Sequence, residues 1–311
     1  MSIAEITHLA SQRKFRRQLI IKLTLGILAC LAVGYVALSA YAGHTLTTPK
    51  RIFEPEKAAV FGIAPEEVKF PAADGLEIAG WFIPAAASDK ALILIHGRNV
   101  SRTQNFDGEF AEFGAAMQRR GFAVLTIDLR GHGQSADARC TFGLTERRDV
   151  IGAFNWLKQR GYQPNKIAIL GVSLGAAAAV GAAADDPEIG VLVLDSGFAE
   201  IYPIMQQLWP SGSGLPGIFM PSTLLVGQWL TGYDLTSARP VKELERMAPR
   251  PILIIHSVLD PETPVEHAYQ LRAAAPSSEY WETTAAKHAL NYNSDPQEYV
   301  DKVADFLNRS L

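Results

Sequence analysis

Ser173 lies in Gly171-Val172-Ser173-Leu174-Gly175, with the apolar run Ile167-Ala168-Ile169-Leu170 before it and the helix former Ala176-Ala177-Ala178-Ala179-Val180 after it. Strand, G-x-S-x-G, helix is the order in which a chain reverses so sharply that the serine hydroxyl projects from the bend. Glycines two before and two after let the helix pack back on the strand without Cβ clashes. The chemistry this suggests is attack on a carbonyl carbon. A serine hydroxyl is a poor nucleophile near neutral pH, so it requires a base, and the base requires a carboxylate to orient it.

After such a bend the acid and then the histidine follow in chain order. Seven histidines are available. His8 and His44 flank an apolar N-terminal stretch, and His96 and His132 precede the serine. His256 closes a strand-like run and His267 falls in a helical one, where packing or surface roles suit them better. His288, in the loop after the final strand-like run, is the expected base. Asp260, in the loop Leu259-Asp260-Pro261-Glu262, is the expected acid. Asp195, at the end of the strand after the bend, and Glu262 stay as competitors. An oxyanion needs two preorganised N–H donors. The amide of Leu174 is one; the amide of Arg98, in the loop His96-Gly97-Arg98, is the other. The Arg98 and Arg102 side chains either attract an anionic substrate group or, more simply, pair with Asp107 or Glu109.

These groups need a scaffold. Strand-like runs at 67–70 and 76–83 flank Asp74-Gly75, a hairpin signal. From 91 onward apolar strands (91–95, 122–128, 166–170, 191–195, 251–256, 278–283) alternate with helical stretches at 104–120, 145–160, after the bend, and from about 264. A closing helix has Asp295 as N-cap, Pro296 at N1 and Glu298 at N3, with Tyr299, Val303, Phe306 and Leu307 inward. Fully apolar strands alternating with helices imply one α/β domain, a mostly parallel sheet covered on both faces. More than fifty residues separate the runs at 191–195 and 251–256, too many for an ordinary connection. Rich in Tyr202, Trp209, Phe219 and Trp229, they read as a helical cap insert at about 198–248. The cap lines an apolar substrate pocket, or else serves packing or touches a membrane.

Residues 23–42 carry no charge and, as a helix, extend about 30 Å, enough to cross a bilayer. Arg13, Lys14, Arg16, Arg17 and Lys22 precede them as a basic cytoplasmic segment (1–22), which puts the bulk of the chain on the opposite side. Ala40-Tyr41-Ala42 keeps a cleaved signal peptide open as the alternative. A linker at 43–66 leads to a domain at 67–311. The first 22 residues carry +4 of a net charge of −3, which leaves −7 for the rest and argues against nucleic-acid binding. Of two cysteines, Cys30 lies in the apolar stretch, so Cys140 has no partner within the domain. No metal-ligand spacing joins His96, Asp128, His132 and His256, and no phosphate-binding glycine loop follows the first strands, so no metal or cofactor is expected.

Asp74-Gly75-Leu76-Glu77-Ile78-Ala79-Gly80-Trp81, His96-Gly97, Asp128-Leu129-Arg130-Gly131-His132-Gly133-Gln134-Ser135, the serine bend and Ile254-Ile255-His256-Ser257-Val258-Leu259-Asp260 together resemble the α/β-hydrolase superfamily of serine hydrolases. The resemblance covers roughly residues 67–311. It implies an eight-stranded sheet with only the second strand antiparallel, and makes Arg130–Gly133 a structural turn. Within the superfamily the chain is similar to the membrane-anchored branch that includes monoacylglycerol lipases and protein depalmitoylases. Arg98 after His-Gly, Ser257 before the acid loop and Lys287 before His288 depart from that pattern without removing a catalytic group. The function implied is cleavage of a small or lipid-like carboxylic ester or thioester through an acyl-enzyme on Ser173. The alternatives are a prolyl-oligopeptidase-like peptidase and a non-catalytic binding module.

Overall fold

In the computed structural model, which describes residues 2–86 and 88–311, the chain begins with one long helix, α1 (Ile3–Thr47). The antiparallel hairpin β1 (Glu66–Pro71) and β2 (Glu77–Ile83) follows, its turn closed by Gly75 at φ +87°. Next come β3 (Ala91–Ile95), α2 (Asn105–Gly108), α3 (Phe110–Arg119), β4 (Ala123–Ile127), α4 (Arg147–Gln159), β5 (Ile167–Val172), α5 (Leu174–Asp185) and β6 (Val191–Asp195). The cap comprises α6 (Ile201–Ser213), α7 (Met220–Thr231) and α8 (Pro240–Arg246). The chain then completes the domain with β7 (Ile252–Ser257), α9 (Glu266–Ala274), β8 (Glu279–Thr283), α10 (Asn291–Ser294) and α11 (Pro296–Ser310).

The eight strands lie in the order β1-β2-β4-β3-β5-β6-β7-β8. β2 runs against both its neighbours and every pair from β4 to β8 is parallel, as expected. The alternation of the pleat explains why the central strands are apolar throughout. Ile93 and Ile95 join the core under α4 and α5, while Leu92 and Leu94 join a second core under α3 and α11. Each such side chain removed from water contributes about 1.5–3 kcal/mol. In α11 the side chain of Asp295 accepts the Glu298 amide, and Tyr299, Val303, Phe306 and Leu307 are buried as the sequence pattern requires.

Three boundaries differ from the sequence reading. The helix expected over 104–120 is broken, because Phe106 and Asp107 adopt φ of 57° and 54°. Tertiary packing imposes this: the Phe106 ring is wedged among Phe110, Phe113, Tyr292 and Tyr299, with centroids 5.2–5.7 Å away. The helix expected from 145 starts at Arg147, since the Glu146 carboxylate accepts the Thr141 and Gly143 amides and folds the preceding turn. At the N-terminus the helix does not stop at 42 but continues to Thr47, so the linker begins five residues later than expected. Part of that linker is itself ordered, for Pro55–Phe61 forms a 3-10 turn that buries Phe61 against Gly114 of α3.

The extra turns of α1 lie along α7. Tyr35 stacks on Phe219 at 4.7 Å, Ser39 and Ser222 hydroxyls meet at 2.8 Å, and Gly43 sits against Val226. Contacts that advance together along both helices mean that α1 and α7 run parallel.

The tightest packing in the sheet is at the serine bend, where a Cβ on Gly175 would collide with the carbonyl oxygens of Ile95 and His96. Those oxygens belong to backbone that cannot yield cheaply. Gly175→Ala should therefore destabilise the domain by about 1–3 kcal/mol, read as a thermal unfolding midpoint several degrees below wild type. An unchanged midpoint would contradict the close approach.

Candidate active site

β5 delivers Ser173 to its C-terminal edge, and the residue takes φ 55° and ψ −112°, outside the regions a serine prefers. The bend is held by the Ser173 N–H, which donates to the Asp195 carbonyl at 2.9 Å, and by the Gly171–Gly175 contact beneath it. The loop after β8 carries His288, whose Nε2 lies 2.8 Å from Ser173 Oγ. Its Nδ1 lies 2.7 Å from Asp260 Oδ2, in the loop after β7. The other carboxylate oxygen of Asp260 accepts the Glu262 and Thr263 amides at 2.9 Å each. The structure thus brings Ser173, His288 and Asp260 together in one line.

It does not bring the competitors. Asp195 is buried behind the bend, accepting from Ser196 Oγ, Asn291 Nδ2 and Tyr299 Oη. Burial pushes its carboxyl up, only partly offset by those donors. Glu262 contributes its amide rather than its carboxylate. His256 is buried and bonded to the Thr263 carbonyl, and His267 accepts the Ala199 amide. Ser257 staples the two loops, donating to the Ala285 carbonyl at 2.7 Å while accepting the Leu259 amide.

Charge and burial set the line's polarity. Burial alone raises a carboxyl, but hydrogen bonding and charge from His288, with the two amides, hold Asp260 below its ordinary value. Burial alone lowers an imidazole, but the Asp260 hydrogen bond and charge hold His288 above 6.5. His288 can therefore carry a proton between Ser173 and a leaving group while Asp260 stays ionised.

The two residues expected to supply oxyanion donors, Leu174 and Arg98, line the cavity together with Ser173. Leu174 opens α5, where a first-turn N–H has no intrahelical acceptor. In the loop after β3 the Gly97 N–H donates to Asn105 Oδ1 and the Asn99 N–H to His132 Nε2. Among the described residues the Arg98 N–H between them has no protein acceptor. The buried ring of His96 accepts the Leu129 N–H at Nε2 and so donates from Nδ1 to the Gly97 carbonyl, 2.6 Å away. In a trans peptide N–H and C=O point oppositely, so pinning the Gly97 oxygen on His96 turns the Arg98 N–H the other way. The loop passes close over the serine, with the Gly97 Cβ position 3.5 Å from Ser173 Cβ. The sequence reading placed His96-Gly97 in the oxyanion loop without a role for the His96 ring, and Asn105 left no signal in the sequence.

The cavity above Ser173 has a volume of about 520 Å³, with Phe142, Phe198, Ile201, Ile204, Leu208 and Leu290 in its apolar wall. Among the described residues seven non-glycine residues have positive φ, and all except Ser196 line this cavity. Such backbone is sparsely populated and costs on the order of 1–3 kcal/mol each, so the fold holds this site against local preference.

The arginines correct the sequence reading. Arg98 pairs with neither Asp107 nor Glu109; its guanidinium donates to the Leu46 carbonyl of α1 at 2.8 Å and lies over the Phe142 ring. Arg102 is fully buried between the Phe53 and Trp81 rings, near Asp128 and Glu67, out of reach of a substrate. Both lost their expected partners to segments far away in sequence. Arg130 does form a structural turn, paired with Asp149 and Asp74.

Burial lowers His96 to about 4 and His132 to about 3, and their rings are 4.9 Å apart. Both values are depressed, so on acidification the unfolded chain takes protons that the native state refuses, and stability falls from about pH 6.5 downward. By pH 4.5 these two groups should remove on the order of 5 kcal/mol. Thermal unfolding at pH 7 and pH 4.5 checks this: the midpoint should drop, and drop less in His132→Asn. A midpoint flat across that range would mean the two rings are not held neutral.

Residues 86–232 match the family model described as serine aminopeptidase, S33. The uncharacterized protein YfhR of Escherichia coli (strain K12) is 26% identical over 258 residues, 78% of this chain and 82% of that one. The thiohydrolase aneE of Aspergillus aculeatus is 30% identical over 130 residues, 41% of this chain and 40% of its own. Among solved structures, the Pyrococcus furiosus esterase Pf2001 superposes with a TM-score of 0.69 at 24% identity, covering 85% of this chain and 98% of that chain. With these likenesses, the sheet order and the strand–serine–helix bend show the α/β-hydrolase fold, and the segment 86–232, just under half of the chain, is similar to a serine-hydrolase family model.

Proposed function

We propose that Ser173, His288 and Asp260 are a catalytic triad and that the protein is a membrane-anchored hydrolase of carboxylic esters or thioesters. The observation that carries this reading is the unbroken line from Ser173 Oγ to His288 Nε2 at 2.8 Å and from His288 Nδ1 to Asp260 at 2.7 Å. His288 takes the Ser173 proton as the oxygen attacks the substrate carbonyl. The amides of Arg98 and Leu174 receive the oxyanion. His288 then protonates the departing alcohol or thiol, leaving an acyl-enzyme that water cleaves by the same steps. The apolar walls of the cavity suit an acyl chain, and the names of the esterase and thiohydrolase relatives are in keeping with an oxygen or sulfur leaving group. Peptide cleavage is the second reading and rests on the family model's description.

The anchor reading rests on α1. Residues 23–42 are uncharged and lie along a helix whose most apolar stretch is wholly exposed. Five basic residues precede them, which favours a cytoplasmic N-terminus with the catalytic domain on the opposite side. Cleavage after Ala42 would remove Tyr35 and Ser39, both bonded to the cap, so an uncleaved helix fits the packing better. Parallel to it, α7 and the turn before it expose Ile218, Leu225 and Trp229, at 70%, 67% and 81%, beside the outer end of the apolar stretch. That placement favours a lipid-like acyl substrate drawn from the membrane.

A fluorophosphonate probe should label Ser173 in the folded protein, and Ser173→Ala should abolish labelling and lower kcat on p-nitrophenyl esters by about 10⁴-fold or more. Because His288 is held above 6.5 and must be neutral to act as base, the acid limb of kcat/KM should have its midpoint above pH 6.5. A folded protein that neither labels nor turns over would leave only the binding-module reading, and faster release of p-nitroaniline from peptide anilides would favour the peptidase. For the topology, protease added outside spheroplasts should digest the domain, whereas protection would reverse the orientation.

A further inference from the structure

We propose that Arg98 is a positioning residue: by gripping the end of α1, its side chain holds its own backbone N–H in place for the oxyanion. The membrane helix is then a structural part of the oxyanion hole. This rests on the triad reading above. The last carbonyls of a helix have no intrahelical partner and carry partial negative charge. Arg98 Nη2 meets two of them, Leu46 O at 2.8 Å and Thr45 O at 3.5 Å. The guanidinium lies over Phe142, 5.4 Å from its centroid, and Phe142 is itself a left-handed residue in the cavity wall. Arg98 Nε is buried without a partner, an unfavourable state for such a donor that only the placement of the rest of the side chain explains.

Neighbouring contacts fasten the same two segments. The Lys50 N–H donates to Asn99 Oδ1 at 3.1 Å, the Cys140 N–H donates to the Thr47 carbonyl at 2.8 Å, and Arg139 reaches the Thr47 and Thr48 hydroxyls. On the other side of the oxyanion loop the Gly97 peptide is tied by His96 and Asn105. The Gly97–Arg98 peptide plane is thus tethered at both ends. A glycine at its start turns freely once one tether is gone, and the Arg98 side chain is the tether that reaches α1. The Arg98 cation meets helix carbonyls and forms no ion pair with a carboxylate among the described residues.

The test uses the full chain, solubilised in detergent, with p-nitrophenyl butyrate. Active sites are counted by fluorophosphonate titration so that kcat is expressed per competent enzyme. Losing one oxyanion donor lowers kcat by about 10²–10³-fold, so Arg98→Ala, which only loosens one, should lower it by about 10–100-fold with KM nearly unchanged. A trifluoromethyl ketone, whose adduct carries the same oxyanion, should lose affinity by the same factor as kcat/KM. Arg98→Lys, which can reach only one carbonyl, should fall between. A residue that merely supports folding would reduce the titratable fraction and leave kcat per site and ketone affinity at wild-type values, and that result overturns the proposal. If Arg98→Ala does not fold, Arg98→Lys carries the same comparison. Failure of the wild type to titrate at Ser173 would instead overturn the triad reading.

Discussion

A serine at φ 55° persists only where its surroundings leave it no alternative, and much of the molecule is arranged to that end. The β5–α5 crossing must be close enough that the helix rests on the strand, which admits nothing larger than glycine at 171 and 175. The next strand must then supply the Asp195 carbonyl to hold the Ser173 amide. β6 in turn must be pinned, and the buried contacts of Asp195 with Tyr299 and Asn291 tie its end to the last two helices. A local conformation that costs free energy is thereby maintained by the cores on both faces of the sheet.

The same arrangement separates two aspartates at neighbouring strand ends. Asp195 and Asp260 are both largely buried, yet their carboxyls move in opposite directions. Asp195 faces neutral donors, which offset only part of the desolvation that raises it. Asp260 faces an imidazole that can become cationic, and the His288 hydrogen bond and charge, with the Thr263 and Glu262 amides, together outweigh its burial. Environments that push two like groups apart are what allow one to serve as packing and the other to remain ionised beside a histidine. Neither difference depends on residue type, so the separation is a property of the fold.

How far the sequence revealed this depended on distance along the chain. Central strands were legible because a strand buried on both faces must be apolar at every position, as Ile93, Leu94 and Ile95 are. Ser173, Asp260 and His288 were legible because the bend has a local signature and the other two sit in loops after strands, where chain order narrows the choice. Asp195 stayed a competitor because its main partner, Tyr299, is 104 residues away. The break at Phe106 had no local cause either: nothing in 104–110 opposes a helix, and the rings that force it come from the C-terminal segment. Arg98 was misread for the same reason, its acceptors lying 52 and 53 residues upstream.

That last misreading changes what the N-terminal helix is. A tether joined by flexible linker would leave the domain free to turn over a bilayer, and nothing in it would need to match the fold. Here the helix continues without interruption into the domain, and from Tyr35 to Thr47 it spans about 20 Å alongside α7. Gly43 has no side chain because Val226 occupies that space, and Leu235 and Thr47 both close on Gly227. Small residues at these positions make no sense for contact with lipid alone, where bulky apolar side chains serve better, but are required where two helices must approach closely. The same helix end then receives Arg98, Arg139 and the Cys140 amide. The α1 residues from Tyr35 onward are thus packed as part of the α/β domain rather than as a separate segment.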